Sequence, residues 1–224
     1  MPDRITALLD PGALAIVLVG ALLATAARCG WRDFVAALRL AARLMRRGFD
    51  AEANRRALAL AHAAITRDGA YRADPAPPPD RALALMLDAF LRHRTPAALD
   101  DARHAAQAHA AERHEAAARV FACAGDLAPV FGLVGTLYGL TQLAPGGATD
   151  AGLAIGSAVS MAVLTTLYGA LLAHFVCFPL AGAITRRAAG EARARAALAD
   201  WFTAQLVRSI SVAPDRRAHL RGVA

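Results

Sequence analysis

Two stretches of the chain carry small and polar residues where almost everything around them is apolar. In Ala128-Pro129-Val130-Phe131-Gly132-Leu133-Val134-Gly135-Thr136-Leu137-Tyr138-Gly139-Leu140, residues Gly132, Gly135, Thr136 and Gly139 fall on or near one flank of a helix. A second stripe holds Ser157, Ser160, Thr165, Thr166, Gly169 and Ala173. Polar side chains are costly in hydrocarbon and usually face a bundle interior or a water-filled path. Glycines at this spacing let helix backbones approach closely. The plainer reading is that each hydroxyl donates to a carbonyl one turn back and each glycine serves packing.

Other reactive residues are sparse. No carboxylate lies inside the apolar stretches; Asp126 stands only at the edge of one. Polar lining without a titratable group makes at best half of a proton pathway. His104, His109 and His114 are five apart and share no helical face, and His114-Glu115 lacks the second histidine of a zinc-protease motif, so no metal is expected. His174 stands inside the last apolar stretch, where a hydrogen-bonded structural role competes with titration near neutral pH. Cys29, Cys123 and Cys177 are too few and scattered for a disulfide framework or a Cys-x-x-Cys site.

The elements that must position these residues follow from composition. The chain has 224 residues, 57% hydrophobic and 19% charged, with 25 basic residues, all arginine, against 18 acidic ones. So apolar an average excludes a disordered chain and points to a membrane protein with its charges sorted into segments. Residues 11–27 are uncharged, as are 127–144 and, apart from His174, 151–184. Each is near or above the ~20 residues that cross a ~30 Å hydrocarbon core. A signal peptide competes for the first, but Asp3 accompanies Arg4, Asp10-Pro11 opens the run and no clear small-x-small site follows.

Charge then sets orientation. Residues 28–125 hold 16 arginines against 11 acids and residues 185–224 hold 8 against 3, whereas residues 1–10 hold Arg4 alone and the turn around Asp150 none. By the positive-inside rule the middle segment and the tail are cytoplasmic, and the N-terminus and short turn face outward. Three crossings satisfy this without conflict. The basic surplus therefore sits at the cytoplasmic membrane face, where anionic lipid rather than nucleic acid is the expected partner.

The middle segment reads as helical. Phe34, Val35, Leu38, Leu40 and Leu44 recur at three- and four-residue spacing among Arg39, Arg43, Arg46 and Arg47, which predicts that the first membrane helix continues into the cytoplasm. Asp74-Pro75-Ala76-Pro77-Pro78-Pro79-Asp80 breaks any helix. Residues 81–94 and 96–124 then form a second block leading straight into the next crossing. Antiparallel helices without strands are expected.

Gly125-Asp126-Leu127-Ala128-Pro129, then Gly132 to Leu140, then Leu164-Thr165-Thr166-Leu167-Tyr168-Gly169-Ala170 and Phe178-Pro179, resemble the MotA/TolQ/ExbB proton-channel family over residues 119–187. Asp10-Pro11-Gly12-Ala13-Leu14 also resembles the opening of the second membrane helix of MotA-type stator subunits. MotA-type proteins have four crossings; a start at the second gives the three-crossing plan of TolQ and ExbB.

The resemblance implies a homopentamer around two copies of a single-span MotB/TolR/ExbD-like partner, whose membrane aspartate carries the proton. It makes Thr136, Thr165 and Thr166 lining of the ion path, Pro129 and Pro179 helix bends or hinges, Asp126 a charge at the cytoplasmic edge, and Gly132, Gly135, Gly139 and Gly169 packing residues. The stretch Arg67-Asp68-Gly69-Ala70-Tyr71-Arg72-Ala73-Asp74 falls where stator relatives engage a rotor, yet it lacks their Gly-Leu-Leu-x-Leu-Glu text.

The expected molecule is an all-α integral inner-membrane protein with three transmembrane helices and a helical cytoplasmic domain. Its parts are an outer segment (1–10), a first crossing (11–27), a cytoplasmic region with its break at 75–79 (28–124), channel helices at about 127–144 and 152–184, and a cytoplasmic tail (188–224). Its expected role is a stator-like, proton-driven subunit that does mechanical work without enzyme chemistry or a cofactor. A TolQ/ExbB-like energiser of the outer membrane is the alternative, and a non-conducting scaffold a second one.

Overall fold

The computed structural model describes residues 10–44, 48–69, 72–141 and 151–221, and these hold helices and no strand. Residues 1–9, 45–47, 70–71, 142–150 and 222–224 lie outside the described residues, among them Arg46, Arg47 and the expected outer turn around Asp150. The helices are α1 (Pro11–Cys29), α2 (Trp31–Leu44), α3 (Ala51–Asp68), α4 (Arg81–His93), α5 (Pro96–Thr141), α6 (Ala151–Leu171) and α7 (Phe178–Arg221), with a π-helical turn, Leu172–Cys177, joining the last two. Three are long and apolar enough to cross a membrane: Pro11–Cys29, one within Ala97–Thr141 and one within Ile155–Ser209. The chain divides into two compact units, Met1–Met45 with His114–Arg186, and Arg46–Arg113 with Arg187–Ala224.

In the first unit, Asp10 caps α1 by accepting the Gly12 and Ala13 N–H groups at 2.8 and 3.3 Å, and Pro11 takes the first helical position, where no N–H is needed. Ala13, Val17, Ala21 and Thr25 line its buried face at four-residue spacing. Ala21 packs with Ala128 of α5 and Ala173 of the π turn. The first membrane helix does not continue into α2 as the apolar periodicity suggests. It stops at Gly30, whose φ of +89° only glycine takes without strain, and the Gly30 N–H closes the helix on the Ala26 carbonyl at 3.0 Å. The hydrophobic spacing spans the break because α1 is apolar all round and α2 is apolar on one side.

The second unit is built on large apolar side chains. Leu58, Ala61 and Ile65 of α3 meet Leu83, Met86, Leu87 and Phe90 of α4, Leu99 of α5, and Leu198, Ala199, Phe202 and Leu206 of α7. The proline-rich stretch carries no helix, in keeping with the missing N–H groups of its prolines, and its end is anchored by polar groups. Asn54, 2% exposed, donates to the Asp50 carbonyl at 2.7 Å and accepts the Asp80 N–H at 2.9 Å. Asp80 caps α4 through the Ala82 and Leu83 N–H groups and accepts Arg195 Nε at 2.8 Å. Arg195 also donates to Glu191 at 3.0 Å and lies over the Phe49 ring, 5.1 Å from its centroid.

Candidate functional site

The two small-residue stripes meet along α5 and α6. A Cβ added at Gly132 would lie 3.0 Å from the Thr165 carbonyl oxygen, at Gly139 3.2 Å from that of Ala158, and at Gly169 2.6 Å from that of Ala128. The pairs run in opposite chain directions, so the helices are antiparallel and touch backbone to backbone. This is contact that only glycine permits at Gly169, where the obstacle is a carbonyl and cannot swing aside.

The three threonines divide at this seam. Thr165 is 0% exposed; its hydroxyl donates to the Met161 and Ala162 carbonyls at 3.1 and 3.0 Å, and a Cβ at Gly135 would lie 2.5 Å from its methyl. Its side chain is enclosed between α5 and α6 of this chain. Thr166, one residue and about 100° further round the helix, is exposed and donates to the Ala162 carbonyl at 3.1 Å. Thr136 is half-buried, with its hydroxyl on the Leu133 carbonyl at 2.7 Å. By exposure, Thr136 and Thr166 stand together as the threonines not enclosed in the seam, and Thr165 stands apart. With its hydrogen directed at a carbonyl, each hydroxyl still has lone pairs that can accept from a carboxylic acid or water; rotated, it can donate to a carboxylate.

Pro129 lies inside α5, which continues through it without a break in the described helix. Its missing N–H leaves the Gly125 carbonyl without the usual partner. Pro179 follows the π turn, in which the Phe178 N–H reaches back five residues to the Ala173 carbonyl. An ordinary turn would drive the Pro179 ring against the Phe175 carbonyl, and the wider turn relieves that clash. Sequence periodicity missed this turn, and Pro179 was its only signal. His174 lies within it, donating through Nδ1 to the Ala170 carbonyl at 3.0 Å and meeting the Phe178 ring edge-on.

Asp126 is exposed on α5. The Asp10 N–H donates to the Tyr168 hydroxyl at 3.2 Å, tying the start of α1 to α6. His104 bonds the Asp100 carbonyl at 2.7 Å and His109 lies 3.6 Å from Glu112. The described residues contain no group of three His, Cys, Asp or Glu side chains placed to hold a metal ion. Sequence reasoning overlooked the Asn54–Asp80–Arg195 chain, whose members are 26 and 115 positions apart.

Known proteins resemble this chain in sequence over part of its length and in fold. Chemotaxis protein PomA of Vibrio alginolyticus is 41% identical over 93 residues, 42% of this chain and 36% of PomA. Motility protein A of Borreliella burgdorferi is 39% identical over 69 residues, 31% of this chain and 26% of that protein. The matched stretch thus spans about a third or less of these curated relatives. In fold, the chain is similar to the flagellar MotAB stator complex from Bacillus subtilis, with a TM-score of 0.72 at 21% identity over 89% of this chain and 79% of the other. It is also similar to C. jejuni MotAB, with a TM-score of 0.73 at 14% identity over 88% and 78%. Residues 78–196, which take in the seam and both channel helices' glycines and threonines, match the family's sequence pattern, and the chain belongs to the MotA/TolQ/ExbB proton channel family.

Proposed function

We propose that this chain is the multi-pass subunit of an inner-membrane complex driven by the proton-motive force, which turns ion flow into mechanical work as a stator does. The observation that carries the reading is a glycine-tight helix pair that leaves the Thr136 hydroxyl half-buried and the Thr166 hydroxyl exposed, with no carboxylate inside any of the three apolar stretches. The carrier of the ion then comes from a second protein, a single-span chain of the MotB/TolR/ExbD kind with a membrane aspartate. Five copies of this chain around two copies of that partner would place the Thr136 and Thr166 hydroxyls along the carboxylate's path. Thr165 fixes the spacing of the wall behind them. Asp126 marks the cytoplasmic edge, Pro129 and Pro179 are the places where the wall bends, and the translocated ion is H+. The N-terminus faces the periplasm and the C-terminus the cytoplasm, as the arginine distribution requires.

The names of the relatives, PomA and Motility protein A, favour the stator form. An energiser of the TolQ/ExbB kind is the second reading, since the matched family pattern takes in both kinds. The partner's outer domain separates the two, since a peptidoglycan-binding module belongs to an anchored stator. The test is to co-purify the single-span partner and reconstitute both chains in vesicles under an imposed pH gradient. Proton influx that needs both chains and disappears when the partner's membrane aspartate becomes asparagine is expected. Failure to recover such a partner, or equal influx with this chain alone, overturns the proposal.

A further inference from the structure

Helix α2 follows the first crossing after a single glycine, and its surface is divided lengthwise into three. Phe34, Ala37 and Ala41 face inward against Ala117, Val120 and Phe121 of α5 and Ile184 of α7. Trp31 and Leu38, seven residues apart and therefore on one face, are 67% and 45% exposed. Arg32, Arg39 and Arg43 form the adjoining exposed row, and none has a carboxylate partner among the described residues. The inward face covers two turns of α2 but rests on about one turn of α5 and one of α7, as expected for a helix laid across the pair. The Trp31 ring is stacked on Phe34 at 5.9 Å, which holds the exposed indole in place.

A large amphipathic aromatic and a leucine beside a row of unpaired arginines, one residue past the end of a membrane helix, match the requirements of a lipid–water boundary. We infer that α2 docks on the inner leaflet, with Trp31 and Leu38 seated at the headgroup–acyl boundary and Arg32, Arg39 and Arg43 binding anionic phospholipid. The inference goes beyond ion flow and rests only on α1 crossing the membrane with α2 on its cytoplasmic side. Charge complementarity selects the occupant. The inner leaflet is anionic and each arginine at its surface enriches binding about fivefold, whereas a second copy of α2 would bring arginine rows of like sign together. Docking would fix the height and rotation of the bundle in the membrane, because α2 is joined rigidly to α5 and α7 through Phe34 and Ala37.

The full chain carrying Trp201→Phe leaves Trp31 as the sole tryptophan reporter. Reconstituted in vesicles of phosphatidylglycerol or phosphatidylcholine with bromine at shallow acyl positions, Trp31 is expected to be quenched at least twofold more in phosphatidylglycerol. The triple variant Arg32→Gln, Arg39→Gln, Arg43→Gln should reduce that quenching to the phosphatidylcholine level. Equal quenching in both lipids overturns the anionic preference. Trp31 open to aqueous iodide but untouched by bromolipid, or shielded from both as at a protein interface, overturns the lipid contact. A companion protein with Trp31→Phe, Trp201→Phe and Leu23→Trp reports α1 in the same vesicles. Quenching at position 23, in these vesicles or in matched ones brominated deeper along the acyl chain, without quenching at Trp31 rejects the docking alone, and no quenching at either position rejects the crossing on which it rests.

Discussion

In the hydrophilic unit the side chains that vanish from the surface are mostly large, Leu58, Met86, Leu99, Phe202 and Leu206 beside Ala61 and Ala199, whereas in the membrane unit Val17 and Ile184 are joined by the small Ala13, Ala21, Thr25, Ala128, Thr165 and Ala173. Large apolar residues of the membrane unit, among them Leu23, Leu137, Val163 and Phe175, point outward instead. One chain thus packs by two rules. In water, burying a large apolar group is itself the driving force. Among lipid tails that force is absent, and close backbone contact takes its place. The hydrophilic unit adds the Asp80–Arg195–Glu191 cluster at its edge, while the membrane unit closes its hydroxyls on its own carbonyls. The consequence for function is that a membrane-unit hydroxyl left facing outward, as at Thr166, has its lone pairs available to a neighbour.

The two rules predict opposite sensitivities. Truncation should damage the hydrophilic unit most: Phe202→Ala is expected to cost ~3–5 kcal/mol, read by thermal unfolding through Trp201 fluorescence, while Leu137→Ala costs little. Next comes the ion cluster. Asp80→Asn removes the acceptor charge of Arg195 at a half-buried site and should lower the same unfolding transition by ~1.5–3 kcal/mol. Enlargement should damage the membrane unit: Gly169→Ala presses a methyl into the Ala128 carbonyl and is expected to cost ~1–3 kcal/mol. Its readout is faster maleimide labelling of buried Cys177 in a Cys29→Ala, Cys123→Ala background. An enlargement tolerated at Gly169 together with a truncation tolerated at Phe202 would erase the contrast.

The smallest effect belongs to the exposed pair at the end of α3. The Arg67 guanidinium, donating to Asp68 at 2.8 and 2.9 Å, holds that carboxyl below the ordinary carboxylate range. A depressed folded-state value contributes stability above the unfolded value and loses it as pH falls through the folded one. Both residues lie on the surface, where solvent screens the pair, so Asp68→Asn should leave the unfolding temperature unchanged at neutral pH.

Much of this was legible in the sequence because it rests on local pattern. The three apolar stretches, the Pro75–Pro79 break and the glycines at 132, 135, 139 and 169 all sit where composition and spacing put them. What escaped depends on geometry that spacing underdetermines. Gly30 reads as a tolerated glycine within one periodic run, and only its positive φ ends the helix. Thr165 and Thr166 are neighbours in sequence and share one polar stripe, yet a rotation of about 100° sends one into the seam and the other outward. The Asn54–Asp80–Arg195 chain joins residues too distant for any periodicity to connect.

That pair of threonines offers the most direct test, because the same substitution on adjacent residues separates path from packing. Valine keeps the shape of threonine and removes only the hydroxyl. With the chain reconstituted alongside its single-span partner, Thr166→Val should cut proton influx at least tenfold with assembly intact, and Thr136→Val should do the same. Thr165→Val, whose side chain is fully enclosed between the helices, should leave influx within twofold of the parent. Influx that survives Thr166→Val, or that is lost on Thr165→Val with assembly intact, would contradict the account.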